Sequence, residues 1–413
     1  MSEPMQSAPS FIDTALARSR ELDGLLPLFA SERRSSANVL ARRTIGSDTA
    51  ETWKYVPIAP FLAAPFGSDD TVAPSAPVQS AFLDFADAAV IRIEGSNPGA
   101  PATLRSGVRL TTLSGGAGSV AMNANIDVDR YPLTHVNTAL LVDALLISVA
   151  PGVDAGTLDL RFTSGADAAN VSRVRIELGN GSRLRLVEQH HEDRATNAIV
   201  DIAVGDGAAL EHTRLLPAAV APSWLLATVR VGRDAAYELA GHALGTQTRR
   251  HDVHVRLDGD RARTQVDLKC AAHRKDKLDH HIVVEHAGVD TVSRQTVHGL
   301  ATNTAELTFD GRIHIRPGAQ RSDARLTNKN LLLDRRARIN AKPELEIYAN
   351  DVKCSHGATV GQLDPNHVFY LQARGVDEAA ARAMLTRAFL TTGLSDELRD
   401  AGVLDLYAEF LAS

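Results

Sequence analysis

Near its C-terminal end the 413-residue chain carries Glu344-Leu-Glu346-Ile-Tyr-Ala-Asn-Asp351-Val-Lys353-Cys354-Ser-His356-Gly357-Ala-Thr-Val-Gly361, where a thiol and an imidazole stand two residues apart. Residues two apart in a strand share a face, so Cys354 and His356 are expected side by side. Thiolate and imidazole are the ligand types that suit iron, zinc or an iron-sulfur cluster. Such a centre takes about four protein ligands. The chain has only two cysteines, Cys270 and Cys354, and no second Cys/His pair at metal spacing, so a metal held here would share its ligands with another chain. The competing reading is a buried cysteine beside an ordinary strand histidine.

Other chemistries find less support. No Gly-x-x-x-x-Gly-Lys-Ser/Thr run supplies a P-loop, and no Gly-x-Gly-x-x-Gly supports a dinucleotide fold, so ATP chemistry would have to come from a partner. His281-Ile-Val-Val-Glu285-His286 has neither zinc-protease spacing, and its β-branched run reads as strand. His190, His191, His251, His254 and His280 sit mostly in alternating segments and are expected to be solvent-facing or stacked from coil to coil. A net charge of -6 and only 5% aromatic residues argue against nucleic acid as a partner. The densest apolar stretch, Ala139 to Val153, is interrupted by Asp143, so no membrane span is expected. Met1-Ser-Glu-Pro lacks the regions of a signal peptide, and two cysteines suit a reducing cytoplasm.

The elements that must position the Cys/His pair are mainly strands. Residues 1–80 read as a helical region and linker: Phe11, Ile12, Ala15 and Leu16 fall at helical spacing, Val39-Leu40 lie in a second arginine-bearing stretch, and 63–77 is Pro- and Ser-containing. Residues 81–362 change to a period of two, beginning with Ile91 and Ile93 against Val90, Arg92 and Glu94. Within them a turn recurs, as Gly179-Asn-Gly-Ser182, Gly205-Asp-Gly-Ala208, Gly232-Arg-Asp-Ala235 and Gly259-Asp-Arg-Ala262, with looser copies ending at Thr291 and Ala319. The fourth positions lie 26, 27, 27, 29 and 28 residues apart. A constant period of this size marks stacked units that cannot bury their apolar faces singly. Because each unit holds short strands, the expectation is a mainly β fold, a β-solenoid with one coil per repeat; evenly spaced turns of a β-sandwich are the alternative.

Residues 363–413 return to helical periodicity. Asp364-Pro365 is an N-cap followed by a first-turn proline, and Gly375 is placed to end that helix. Ala381, Met384, Leu385, Ala388 and Phe389 form one apolar stripe, and Leu404, Tyr407, Ala408 and Leu411 another. Such stripes are commonly core. A helical tail on a strand-built body is nevertheless expected to find little core to join, which makes it a candidate docking unit.

Several motifs, taken together, resemble one family. Asn328-Lys-Asn330-Leu-Leu-Leu333, Ala337, Lys342-Pro343-Glu-Leu345-Glu346-Ile347, Asp351-Val-Lys-Cys354-Ser-His356-Gly357-Ala-Thr359-Val-Gly361, Phe369-Tyr370-Leu371 and Arg374-Gly375 closely resemble the C-terminal signature of the SufB/SufD family, the scaffold proteins of SUF iron-sulfur cluster assembly. Glu51-Thr-Trp53-Lys54-Tyr55, Asn137-Thr-Ala139 and Phe309-Asp-Gly311 are similar to further motifs of that family. His356-Gly357-Ala-Thr, the following Phe-Tyr-Leu, the length and the two cysteines look like its SufD branch, since SufB is longer, has Glu after that His and carries more cysteines. Val56, Ala341 and Asn350 depart from the usual Thr, Thr/Ser and Asp; Asn350 weakens any case for paired carboxylates binding iron there.

The resemblance implies a right-handed parallel β-helix core flanked by N-terminal and C-terminal helical regions. It also implies pairing with SufB through the end carrying the Cys-x-His strand, and docking of the ATPase SufC on the C-terminal helices. His356 would then be a ligand lent to a transient Fe-S cluster at the SufB-SufD interface, Cys354 its less certain neighbour, and no cofactor would be held tightly by the isolated chain. The function expected is a non-enzymatic cytoplasmic scaffold that also supports iron acquisition. Two alternatives stand beside it. A β-helix carbohydrate-active enzyme would want a groove of grouped carboxylates and usually a secretory signal, neither recognisable here. A structural homodimer could use the same end on itself.

Overall fold

The recurring turn lies at the corner of each coil. In its first four copies the N–H of the small fourth residue donates to the carbonyl of the first, Ser182 to Gly179 at 3.1 Å, Ala208 to Gly205 at 3.0 Å, and Ala235 to Gly232 and Ala262 to Gly259 at 3.3 Å. The small side chain is buried in every copy, including Thr291 and Ala319. The third residue is left-handed: Gly181 and Gly207 where the motif is strict, Asp234 and Arg261 where it is relaxed, with φ between 56° and 67°. The first glycine answers to a different demand, the close stacking of coils. A Cβ on Gly259 would lie 2.0 Å from the Arg233 nitrogen of the preceding coil. Gly259→Ala is therefore expected to cost about 1–3 kcal/mol through overpacking, while Gly361→Ala, with nothing within 4 Å, leaves the thermal midpoint nearly unchanged. Equal midpoints for the two variants would show that stacking does not constrain the corner.

The computed structural model describes residues 11–24, 29–42, 53–56, 58–62, 82–99, 103–115, 122–165, 169–219, 221–245 and 247–412; the expected linker at 63–77 and Glu51-Thr52 lie outside them. Helices α1 (Phe11–Leu22), α2 (Ala30–Ala41) and α3 (Ala59–Leu62) precede β1 (Ala88–Glu94), β2 (Asn97–Pro98), β3 (Val108–Thr112), α4 (Leu133–Leu140) and β4 (Leu145–Val149). The coils follow as β5 (Asp154–Thr163), β6 (Ala169–Leu178), β7 (Arg183–His191), β8 (Ala195–Val204), β9 (Ala209–Leu216), β10 (Ser223–Val231), β11 (Ala236–Leu244), β12 (Arg249–Leu257), β13 (Arg263–Ala272), β14 (Lys277–His286), β15 (Val292–Ala301), β16 (Glu306–Ile315), β17 (Asp323–Leu332), β18 (Arg338–Ile347) and β19 (Lys353–Gly361). Helices α5 (Pro365–Gln372), α6 (Glu378–Thr391), α7 (Asp396–Asp400) and α8 (Val403–Ala412) complete the chain.

Strands β5 to β19 alternate between two sheets. The odd-numbered strands from β5 on join β1 and β2 in a 10-stranded sheet ordered β19-β17-β15-β13-β11-β9-β7-β5-β1-β2, and the even-numbered ones join β4 and β3 in a 9-stranded sheet ordered β18-β16-β14-β12-β10-β8-β6-β4-β3. Coil-to-coil pairs are parallel, and only β1–β2 and β3–β4 are antiparallel. The fold is thus a parallel β-helix flanked by helices, as the repeat implied. Inward rows such as Val253-Ile282-Gly311 and Leu239-Val266 stack into an apolar lumen core.

Helix α4 and the N-terminal helices cover the outer face of the 9-stranded sheet, where Trp53, Phe61, Val136, Ala139, Trp224 and Leu226 share a second core. Asn137 anchors α4: its side-chain amide donates to the backbone carbonyls of Ser172 on β6 and Asn197 on β8 at 3.1 and 3.0 Å. Glycine 311 serves the lumen, because a Cβ there would meet the Phe309 ring at 2.4 Å.

The tail corrects the expectation of a separate docking unit. The outer face of the 10-stranded sheet carries an in-register apolar ladder, Leu244-Ala271-Leu300-Leu331. Leu390, Leu394, Leu398, Val403, Tyr407 and Phe410 pack on it as a third core. A solenoid strand has two faces, and this ladder makes the outer one apolar too. The stripes are accordingly core at Ala381 and Tyr407, whereas Met384 and Ala388 lie exposed.

Candidate functional site

Among the described residues strand β19 pairs only with β17, and β18 only with β16, so there both sheets end with a free edge. Cys354 stands opposite Ala324 and His356 opposite Leu326, both of which face the lumen core. The thiol and the imidazole thus continue two lumen rows into the last coil, and no further coil among the described residues covers them. Cys354 is half-buried against the main core, and His356 is exposed. The opposite wall continues the core through Ile339 and Leu345. Around the opening lie three exposed apolar side chains, Ile347 at 40%, Tyr348 at 61% and Val360 at 46%. Solenoid ends normally carry a polar cap; this one offers two unpaired edges and an apolar rim.

Burial pushes the Cys354 thiol above its ordinary value, and the Asp323 carboxylate adds to the effect. The thiol is therefore protonated at neutral pH, and a cation must displace that proton for it to act as a ligand. Among the described residues no group of three or more His, Cys, Asp or Glu could hold a metal ion. Chemically, the end can lend two soft or borderline ligands to a centre completed from outside.

The other residues that stood out in the sequence serve the architecture. Trp53 lies under the Arg250 guanidinium at 4.2 Å and edge-on to Phe61, Lys54 stands over the Tyr55 ring, and Asn328 and Asn330 pair, with Asn330 donating to the Thr359 carbonyl at 3.1 Å. Of the histidines in the alternating segments, His190, His251, His280, His281 and His286 are buried, with His251 and His280 in contact from coil to coil, whereas His191 and His254 are half-buried.

A buried polar network inside the lumen escaped sequence reasoning. Glu188 on β7 accepts from Arg214 on β9 at 3.0 Å and is bonded to His190 at 2.5 Å and His212 at 2.9 Å. His212 reaches the Tyr237 hydroxyl, and Arg214 donates to His251, which contacts His280 at 3.2 Å. Burial alone would raise the Glu188 carboxyl, but Arg214, His190 and His212 hold it well below the usual range. Burial drives His251 well down and His280 to about 3. The signal was present in Leu184-Arg-Leu186-Val-Glu188-Gln-His190, where the inward period of two runs from leucine into charge.

The family described as SUF system FeS cluster assembly, SufBD core domain, matches residues 161–389. The chain is 29% identical over 253 residues to the iron-sulfur cluster assembly protein SufD of Escherichia coli (strain K12), covering 59% of this chain and 60% of that protein. It is 31% identical over 265 residues to the chloroplastic protein ABCI7 of Arabidopsis thaliana, with 60% and 55% covered. It is 25% identical over 280 residues to the SufD of Bacillus subtilis (strain 168), with 65% and 64% covered. The chain therefore spans about three fifths of the length of these relatives. Among the described residues no helix is long and apolar enough to cross a membrane.

Proposed function

This chain belongs to the SufBD family of the SUF iron-sulfur cluster assembly system, and from that premise we propose that it is a non-enzymatic scaffold subunit of the SufD type, pairing with SufB through the β18–β19 end. The observation that carries the reading is the uncapped coil, which sets Cys354 and His356 at the mouth of the lumen within an apolar rim. His356, and with it Cys354, would complete a nascent cluster whose other ligands come from SufB. The cluster is cargo here, iron is acquired for it, and the isolated chain retains neither. Two free cysteines suit a cytoplasmic setting.

The division of labour we propose follows the regions 1–80, 81–362 and 363–413: a helical cover, the β-helix scaffold and a helical region that docks the ATPase SufC. The surface left for SufC is the outward side of α5 and α6, where Phe369, Tyr370 and Met384 are exposed, since α6 gives Phe389 and Leu390 to the third core. A P-loop is absent from the sequence, which fits ATP hydrolysis supplied by such a partner. Family membership favours cluster assembly over the carbohydrate-active reading. Self-pairing of the same end into a homodimer is the second reading, favoured by the same free edges and applying when SufB is absent.

The test places a charge in the rim. Ile347→Glu with Val360→Arg alters two exposed side chains, so the chain folds, but each charge would be stranded on docking. Co-expressed with SufB and SufC, the double variant is expected to lose at least about tenfold in affinity for SufB. Wild-type recovery of SufB would move the interface elsewhere.

A further inference from the structure

Away from the solenoid end, a cavity of about 270 Å³ lies on the outer face of the 9-stranded sheet, between residues 124–127 and strands β10, β12 and β14. Its lining includes Arg230, Arg256, Arg316, His254 and Glu285. Arg230 and Arg256 both direct Nε to the Asp258 carboxylate, and Arg316 directs Nε to Glu285. Arg230 also donates from a terminal nitrogen to Asn125 at 3.1 Å. No protein partner among the described residues takes the terminal nitrogens of Arg256 or Arg316.

The acceptors in this cavity are committed while strong donors are not. Glu285 is held by Arg316 and approached by His254 at 3.6 Å; burial would raise its carboxyl, but His254, Arg256 and Arg316 bring it down to about 2, a sign of the cationic field. Asp127, the other carboxylate of the lining, accepts through Oδ1 from the Arg130 backbone N–H at 3.1 Å. A guanidinium that spends its Nε–H on a carboxylate still presents its two terminal nitrogens, carrying four N–H donors in one plane, a fork that fits phosphate oxygens. Ligand pockets run from about 300 Å³ upward, so this one suits a phosphate carrying a sugar-sized body rather than a dinucleotide.

We propose that this cavity binds a small phosphorylated molecule, its phosphoryl oxygens gripped by the terminal nitrogens of Arg256 and Arg316 beside Arg230. None of the lining residues is Cys354, His356 or one of the apolar rim residues of the solenoid end.

The full-length chain would be titrated by calorimetry with inorganic phosphate, ribose 5-phosphate and ADP, with citrate as the carboxylate control, in about 0.15 M salt where exposed charges are screened. Binding of inorganic phosphate or a phosphorylated arm with a dissociation constant below about 1 mM, and tighter than citrate, is expected; whether the body adds affinity separates free phosphate from a sugar or nucleotide ester. Arg256→Gln should weaken it at least about tenfold. Asp258 keeps Arg230 in that variant, so the fold stands. A saturation-transfer NMR signal from the bound sugar protons gives a second readout without mutation. No binding in any phosphate arm, equal binding of citrate, or an unchanged Arg256→Gln titration would overturn the proposal.

Discussion

Replacing His356 by Ala is expected to leave the proposed complex with SufB and SufC assembled while removing most of its iron and acid-labile sulfide. The imidazole is exposed on β19 and has no protein hydrogen-bond partner among the described residues, whereas the strand itself is held by its ladder to β17. An interface of this kind rests on many apolar contacts and edge bonds rather than on one side chain. A cluster with one of about four ligands missing opens an iron to solvent and exchange. Cys354→Ala should do less harm, because that thiol is half-buried, packed on the core and pushed towards its protonated form by burial. The measurement is iron and sulfide per complex, purified without oxygen, for both variants beside the parent. Parental content in the His356→Ala complex would remove this residue from the site.

The isolated chain should lose stability steeply as pH falls from about 6.5 to 4. Burial lowers His242 and His280 to about 3 and His286 to about 4, against about 6.5 in the unfolded chain. A histidine with a lowered folded value is charged first in the unfolded state, so acid favours unfolding throughout that window. The loss is about 2 kcal/mol per ring by pH 5, a large share of a typical total stability of about 5–15 kcal/mol. His190 opposes the trend: burial would lower it, but Glu192 and Glu188 raise it, so it contributes stability below about 6.5 that is lost as pH rises. Glu188, held low in the folded chain, contributes above its unfolded value and adds a further loss as pH falls below about 4.5. Denaturant midpoints at pH 7.5, 6 and 5 test this. Equal midpoints at all three would mean that these buried histidines are solvated.

Much of the architecture was legible because a solenoid writes its period into the chain. The corner needs a small buried residue, a left-handed one before it and a glycine where coils touch, and that demand recurs every 26 to 29 residues. The Cys354/His356 face was legible for a similar reason, since alternation along one strand is local geometry. What the outer faces of the sheets do was not. The ladder Leu244-Ala271-Leu300-Leu331 is spread across four coils, so no window of sequence displays it as a surface, and the tail passed for a unit without a core. The charged lumen was hidden in the same way, because Glu188 and Arg214 become neighbours only when successive coils stack, and His251 meets Arg214 only when the two sheets close.

By itself, then, the sequence determined which residues point together along each strand, Cys354 and His356 among them, and where each coil turns. Tertiary structure alone decided that the lumen rows reach Cys354 and His356 with no coil beyond them, that α6 to α8 are spent on the 10-stranded sheet, and that Arg230, Arg256 and Arg316 meet in one cavity. The physical reason is one of distance. Strand periodicity and turn chemistry act over two to four residues, whereas the stacking that covers one face and leaves another open joins residues at least one coil apart.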